Sequence, residues 1–354
     1  MQIADIVTRL HAAGANAKQA QRLLRQWTHA LATPGGPSAP EHSLSKPLRA
    51  LWDELLPELR GLVQLRSQHP AEDSAIRLLL GLNDGQTAEA VLLPKGGLCV
   101  STQVGCAVGC VFCMTGRDGL IRQIGSAEIV AQVALARTFR PVKRVVFMGM
   151  GEPAHNLDAV LDAIQLLGTA GGIGHKNLVF SSVGDPRVFE RLPMVPVKPA
   201  LALSLHTTKS ALRAELLPRA PRISPDELVE MGEHYARATG YPIQYQWTLM
   251  AGVNDGDDEV HGIARLLRGK YAMMNLIPYN RVDDLPWQRP SPERAWDMAQ
   301  ALNALGILTR LRQSAGQDVE GGCGQLRARE AKGSTRPVRM PVSRHPLTAR
   351  TEPP

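Results

Sequence analysis

Apolar residues along this chain recur in two rhythms, and the change between them divides it. Up to about residue 66 the spacing is helical. Residues 17–31 carry Leu23, Leu24, Trp27 and Leu31 along one side, and residues 46–60 form a second helical segment. Pro34-Gly35-Gly36-Pro37 separates the two. Residues 75–82 and 88–93 then read as strands joined across Asn83-Asp84-Gly85, a tight-turn sequence. From about Gly96, short apolar runs alternate with helical stretches. Strands are predicted at 98–100, 144–148, 178–181, 201–205, 243–249 and 273–277, with helices at 126–136, 157–167, 209–217, 224–236 and 259–267 between them. Ser224-Pro225-Asp226-Glu227 opens one of these helices with a capping hydroxyl, a proline and two acids. A further helix (292–305) and strand (308–312) follow. Six strand–helix units on short loops predict an α/β fold with a parallel sheet, helices outside it, and a site at the C-terminal strand ends.

The predicted organisation is an accessory region of helices and a hairpin over residues 1–94, a core over 95–330, and a tail over 331–354. The tail carries Lys332, Arg336, Arg339, Arg344 and Arg350 against Glu352 alone, which reads as a disordered basic segment. The whole chain has 354 residues, 44% of them hydrophobic, enough for a large core. Its formal net charge of +7 points towards a polyanionic partner such as RNA. With only 4% aromatic residues, a sheet face that stacks bases on exposed rings is disfavoured. No run of eighteen apolar residues occurs, so no membrane span is expected, and Met1 to Gly14 lacks the apolar stretch of a secretory leader. The expected compartment is the cytoplasm.

Five cysteines are present, and Cys99, Cys106, Cys110 and Cys113 fall close together while Cys323 stands apart. In a reducing compartment such clustering indicates metal or redox chemistry rather than a disulfide framework. The Cys106-x3-Cys110-x2-Cys113 spacing provides three thiolates. Three close cysteines hold three irons of a four-iron cluster and leave the fourth open. A zinc site is the other reading, and would need a fourth ligand in closed tetrahedral geometry. Glycines in Gly149-Met150-Gly151-Glu152-Pro153, after a predicted strand, allow close backbone approach to a ligand. Ser181, Ser204-Leu205-His206 and Asn280 are further candidates at or just past strand C-termini.

The three-cysteine loop resembles that of radical S-adenosylmethionine (SAM) enzymes, which bind a [4Fe-4S] cluster and SAM at its open iron. The resemblance narrows with Leu98-Cys99 upstream of Cys106, Met148-Gly149-Met150-Gly151-Glu152-Pro153, Ser204-Leu205-His206, Gly252-Val253-Asn254-Asp255, Asn275-Leu276-Ile277-Pro278 and Gly322-Cys323-Gly324-Gln325-Leu326. In this order, from about Ala75 to Leu326, they resemble the RlmN/Cfr family of radical SAM RNA adenine methyltransferases; Ser43 to Arg49 faintly echoes its accessory domain. The resemblance implies a partial (β/α)6 barrel and cluster ligands Cys106, Cys110 and Cys113. It implies SAM contacts from Gly151, Glu152, Ser181, Ser204, Leu205, His206 and Asn280, with two SAM per turnover. Cys323 would take a methyl group from one SAM, a second SAM would supply the radical, and Cys99 would release the product through a transient Cys99–Cys323 disulfide. Glu89 matches the family's acidic residue and is the candidate base. The implied substrate is an adenine of RNA, first C2 in 23S rRNA, with tRNA and C8 methylation as alternatives; a radical enzyme on a non-RNA substrate would leave Cys99 and Cys323 unexplained. An electron donor such as flavodoxin and a monomeric state are expected. The chain departs from the family pattern at Lys95-Gly96-Gly97, Gln246-Trp247, Ala315 and Gly321-Gly322.

Overall fold

The computed structural model describes residues 1–30, 44–282 and 285–328. Leu31, the Pro34-to-Pro37 breaker, Ser43 and the basic tail lie outside these residues. Three helices come first: α1 (Ile3–Ala12), α2 (Ala17–Thr28) and α3 (Lys46–Gly61). Asn16 caps α2 by accepting from the Gln19 amide. The apolar stripe predicted from the spacing is buried at Leu23, Leu24 and Trp27. These helices dock on the core, where the Ser126 hydroxyl accepts from the Ile3 amide at 2.8 Å and Arg137 donates to the Thr28 carbonyl at 2.7 Å.

The chain then enters an antiparallel meander: β1 (Val63–Pro70), β2 (Ile76–Leu82), β3 (Thr87–Leu93) and β4 (Gly97–Cys99). Strand β1 occupies sequence read as the tail of a helical region. Its Gln64, Arg66, Ser67, Gln68 and His69 break any apolar alternation, and a register shift between Leu65 and Ser67 interrupts it further. Two short strands, β5 (Gln103–Gly105) and β6 (Leu120–Gln123), pair as a separate hairpin. A strand–helix alternation follows, with α6 the one helix added to those predicted: α4 (Ser126–Arg137), β7 (Arg144–Phe147), α5 (Leu157–Gly168), β8 (Leu178–Ser182), α6 (Pro186–Arg191), β9 (Ala200–Ser204), α7 (Ser210–Leu216), α8 (Pro225–Thr239), β10 (Ile243–Leu249), α9 (Asp257–Leu267), β11 (Ala272–Pro278), α10 (Pro292–Ala304) and β12 (Thr309–Leu311).

The main sheet has ten strands in the order β1-β2-β3-β4-β7-β8-β9-β10-β11-β12, parallel from β4 onward. The α/β barrel expectation is thereby met. The sheet passes without a break through residue 94, where the accessory region was expected to end, because β3 pairs with β4. Period-two burial along β10 shows the two faces. Ile243, Tyr245, Trp247 and Leu249 are buried, and the Tyr245 hydroxyl reaches the Val229 carbonyl of α8. Gln244, Gln246 and Thr248 alternate with them and line the interior. Register extends this interior face sideways through Ser204, Gln246, Asn275 and Arg310. Among the described residues, no helix is long and apolar enough to cross a membrane.

Candidate active site

The connection between β5 and β6 carries all three clustered cysteines. Gly105 and Gly119 make its neck, where the Cys106 amide donates to the Gly119 carbonyl at 2.9 Å. A Cβ on Gly105 would sit 2.0 Å from that carbonyl oxygen, so no other residue fits without opening the neck. Within the loop the Cys113 amide donates to the Cys110 carbonyl at 3.0 Å. Burial pushes all three thiols up, Cys106 to about 12. Cys110 is raised further by Cys113, Cys106 and the Glu152 carboxyl, so the three sulfurs and Glu152 lie within electrostatic reach of one another. A bound cation would reverse this by favouring the thiolates.

Glu152 sits where β7 ends, almost fully buried. Its Oε1 accepts from the Ala154 amide at 3.1 Å and its Oε2 from the Val183 amide at 3.1 Å. Its own amide donates to Gln103 Oε1 at 2.7 Å, which ties the shelf to β5. Burial pushes the carboxyl up to about 7 against these amide donors. Gly151 has φ of +104°, and a Cβ there would come within 2.5 Å of Gln103, so the turn between β7 and Glu152 requires glycine.

Ser181 is half-buried on the interior face of β8, whereas the next residue, Ser182, accepts from the Gly184 amide and belongs to the turn. Ser204 is half-buried at the end of β9. Leu205 points the other way. Its side chain lies in the apolar core and its amide donates to the Gln246 carbonyl, so it offers the interior no side chain. His206 takes φ of +63° and is buried. Its Nδ1 accepts from the Thr248 amide at 2.9 Å, so the neutral ring carries its proton on Nε2. Its ring meets Phe112 of the cysteine loop edge-on at 4.9 Å between centroids. Asn280 donates from Nδ2 to Ser314 Oγ at 2.8 Å and to the Cys323 carbonyl at 2.9 Å. Its Oδ1 is buried and has no partner among the described residues.

Cys323 comes back to the cysteine loop from far along the chain. The Met114 amide donates to the Gly324 carbonyl at 2.8 Å, and Thr115 Oγ1 to the Leu326 carbonyl at 2.7 Å. Cys323 is solvent-exposed, but its surroundings are dense enough to push its thiol up, while Ser314 and Arg312 pull it down. Cys99, at the end of β4, is buried and raised by burial and then by Cys323. Cys323 thus lies within electrostatic reach of both Cys99 and Cys113.

A model of the radical SAM superfamily matches residues 100–267. A "probable RNA methyltransferase" of Leptothrix cholodnii is 67% identical over 347 residues, covering 98% of this chain and 100% of its own length. A second protein of that description, from Azoarcus sp., is 64% identical and covers 100% of this chain and 99% of its own length. The crystal structure of a radical SAM methyltransferase from Sphaerobacter thermophilus superposes with a TM-score of 0.81 at 35% identity, over 93% of this chain and 98% of that one. The chain belongs to the radical SAM methyltransferase family.

Membership in the radical SAM methyltransferases implies SAM and a [4Fe-4S] cluster, and the donor set fits both. The radical SAM match and the relatives described as RNA methyltransferases set the zinc-stabilised, non-catalytic alternative aside. Cys106, Cys110 and Cys113 would each hold one iron of the cluster. Glu152 and the orphaned Asn280 Oδ1 would receive donors of SAM. Arg213 was missed in the sequence. It is buried, donates to the Val183 and Ser204 carbonyls at 2.5 and 3.1 Å, and has its Nε without a hydrogen-bond partner among the described residues. Its charge acts on Cys110, so it suits the anionic side of a thiolate-bound cluster. Ser314, beside Cys323, was also missed; a lone serine after a short strand carries no pattern to find it by.

Glu89, the candidate base on β3, has 0% exposure. Arg77 donates to its Oε1, and the Arg327 and Ala328 amides donate to its Oε2 at 2.8 and 3.0 Å. Burial pushes the carboxyl up, against Arg77 and the two amides. Both oxygens are engaged, and the partners beyond Arg77 are the backbone that follows Cys323.

Proposed function

We propose that this radical SAM methyltransferase methylates an aromatic carbon of adenine in RNA, with C2 of an adenine in 23S rRNA as the leading target and tRNA as the second. The observation that carries the proposal is that Cys323 lies within electrostatic reach of Cys99 and of the cysteine loop, two thiols outside the cluster set, one exposed and one buried. An ordinary SAM methylation needs no protein thiol. The amidine carbons of adenine are too electron-poor to attack a methyl cation equivalent, and a thiol carrier answers that difficulty. The relatives described as RNA methyltransferases and the +7 charge support RNA as the substrate.

When bound, SAM supplies the methyl group from one molecule and, with the cluster as electron source, a radical from a second that removes one hydrogen atom. The protein's part is to carry, orient and release. Cys323 holds the carbon as a thioether, exposed enough to meet a base. Asn280 fixes the Cys323 carbonyl, and Ser314 favours the thiolate that takes the methyl group. After the carbon is joined to the base, the Cys99 thiolate attacks the Cys323 sulfur. The S–S bond forms as the S–C bond breaks, and the carbon keeps the electron pair and takes a proton. Joining an S-methyl group, a base C–H and a second thiol into a methylated base and a disulfide releases two hydrogens. One is the abstracted hydrogen atom; the other departs as a proton and an electron, and the bound cluster, having given one electron to SAM, would take that electron back. Glu89 is the proposed proton acceptor, provided that the Arg327–Ala328 backbone withdraws from its Oε2.

The test is anaerobic incubation of the reconstituted enzyme with SAM, reductant and protein-free rRNA or tRNA from cells lacking this gene, followed by nucleoside mass spectrometry. The expected product is 2-methyladenosine; 8-methyladenosine would move the reaction to the other carbon. Intact SAM cleavage with no methylated adenine in either RNA would overturn the substrate. Cys323→Ala should abolish transfer with the iron content unchanged, and Cys99→Ala should accumulate a covalent RNA–protein adduct. Normal turnover by Cys99→Ala would remove the disulfide step.

A further inference from the structure

Three arginines stand on the interior face of the barrel with no ion-pair partner among the described residues. Register places Arg310 of β12 in the row with Asn275, Gln246 and Ser204, and Arg312, two residues on, follows the same alternation. The Arg312 amide still donates to the Leu276 carbonyl at 2.8 Å, so its backbone is fixed as a continuation of the strand. On the opposite wall Arg144 opens β7. Register runs Cys99 to Val146 and Gly97 to Arg144, so Arg144 shares the interior face with Cys99. The two walls are near enough for the charges to interact: Arg312 and Arg310 both push Arg144 down, after burial. Among the described residues none of the three makes an ion pair, and the buried Nε of Arg144 has no hydrogen-bond partner. Arg310 and Arg312 are exposed, so solvent and a ligand can reach them.

Like charges gathered on a concave wall raise the energy of the empty protein and lower that of an anionic ligand. The wall also leads to the reacting sulfur, since the Arg312 charge acts on Cys323. A phosphodiester suits it by chemistry. Guanidinium groups recognise phosphate oxygens with paired N–H donors, and phosphate contacts set the register of a strand without reading its bases.

We propose that Arg144, Arg310 and Arg312 form a phosphate-binding site that anchors the substrate RNA strand beside the nucleotide presented to Cys323. The inference rests on the RNA reading above and deepens it by naming the contact surface. It also accounts for arginines on a barrel wall where a small, uncharged substrate would need none.

The experiment measures binding of labelled, protein-free rRNA to the reconstituted enzyme under anaerobic conditions across a range of salt. Each arginine is replaced by Gln and, separately, by Lys, and Arg237→Gln on the outer helix α8 is the control. Each lost phosphate contact should flatten the plot of log affinity against log salt by roughly 0.7 for a single strand. The triple Gln variant should therefore lose a slope of roughly 2, with KM for RNA rising while the iron content per chain stays that of the wild type. Lys replacements should restore most of the slope, and Arg237→Gln should leave it alone. An unchanged slope in the triple Gln variant, with wild-type methylation intact, would overturn the site and leave the RNA reading standing. Inorganic phosphate competing as well as RNA at equal phosphate concentration would overturn it too, because a free-anion site needs no strand. If the wild-type enzyme neither bound nor methylated RNA, the functional reading itself would fall, and this site with it.

Discussion

Replacing Glu89 with Ala separates two roles that one carboxylate can have. Glu89 and Arg77 form an ion pair with side-chain exposures of 0% and 1%, and Glu89 also holds two backbone amides past Cys323. Removing one partner of a buried pair costs about 3–5 kcal/mol, most of it from a buried charge that has lost its counter-ion. Part of that loss falls on residues 327 and 328, whose amides both donate to Glu89. At 1.4 kcal/mol per factor of ten, the Arg327 and Ala328 amides in Glu89→Ala should exchange with solvent about 100-fold faster or more, with a lower urea midpoint for the whole chain. Hydrogen-exchange mass spectrometry on the segment after Cys323 reads this directly. Glu89→Gln keeps an oxygen that can accept from both amides but cannot take a proton. An anchoring role predicts near-normal exchange and substantial methylation in Glu89→Gln. A base role predicts normal exchange with methylation lost. Unaltered exchange at 327 and 328 in Glu89→Ala would refute the anchoring argument.

Two other perturbations act on the cysteine loop and its support. A Cβ at position 116 would lie 2.8 Å from the Gly109 Cα, backbone against backbone, so Gly116→Ala should strain the ligand-bearing loop by about 1–3 kcal/mol and lower the iron incorporated per chain; full iron loading would show that the loop gives more easily than its contacts imply. Burial and then Arg213 hold His206 down at about 3, against 6.5 when unfolded, so between these values the unfolded chain binds the extra proton and stability falls as pH is lowered from about 6.5 towards 3. His206→Asn should flatten that part of the stability–pH curve, and an unchanged slope would mean that the ring is not held neutral.

The strands and helices of the barrel were legible because each buries one face, and that face writes itself into the sequence as a period. The hairpin of β2 and β3 was legible for a second reason: the Asn83-Asp84-Gly85 turn closes with Leu82 and Gln86 bonded as a tight turn demands. What escaped had no such imprint. Strand β1 is mostly polar, and β6 exposes Leu120 and Ile121 at 39% and 57%, the reverse of the usual pattern. Helix α6 begins with a plain Asp185-Pro186 start but runs only six residues, too few for a period to form. In the site, the cysteine spacing is local and could be read directly. Leu205 was read with its neighbours as one motif, yet strand alternation sends it to the core while Ser204 stays inside the barrel. Arg213 and Ser314 acquire meaning only from what folding brings beside them, Cys110 and Cys323.

The unbroken ten-stranded sheet has a consequence for how this protein can be taken apart. Its outer strands are poor templates for a further strand: β1 is polar and bulged and ends in Pro70, and β12 has only three residues. Inside, the sheet is built of buried strands such as β3 and β4, each bonded to a neighbour on both sides. A fragment that starts at residue 95 would turn β4 into a raw border, with its amides and carbonyls open and with the apolar Leu98 beside them. Such a fragment should recruit its own copies into mixed aggregates instead of yielding a smaller working enzyme. On this reading the accessory segment is the cover of the barrel's first parallel strand, and a shortened chain should lose its solubility before its fold.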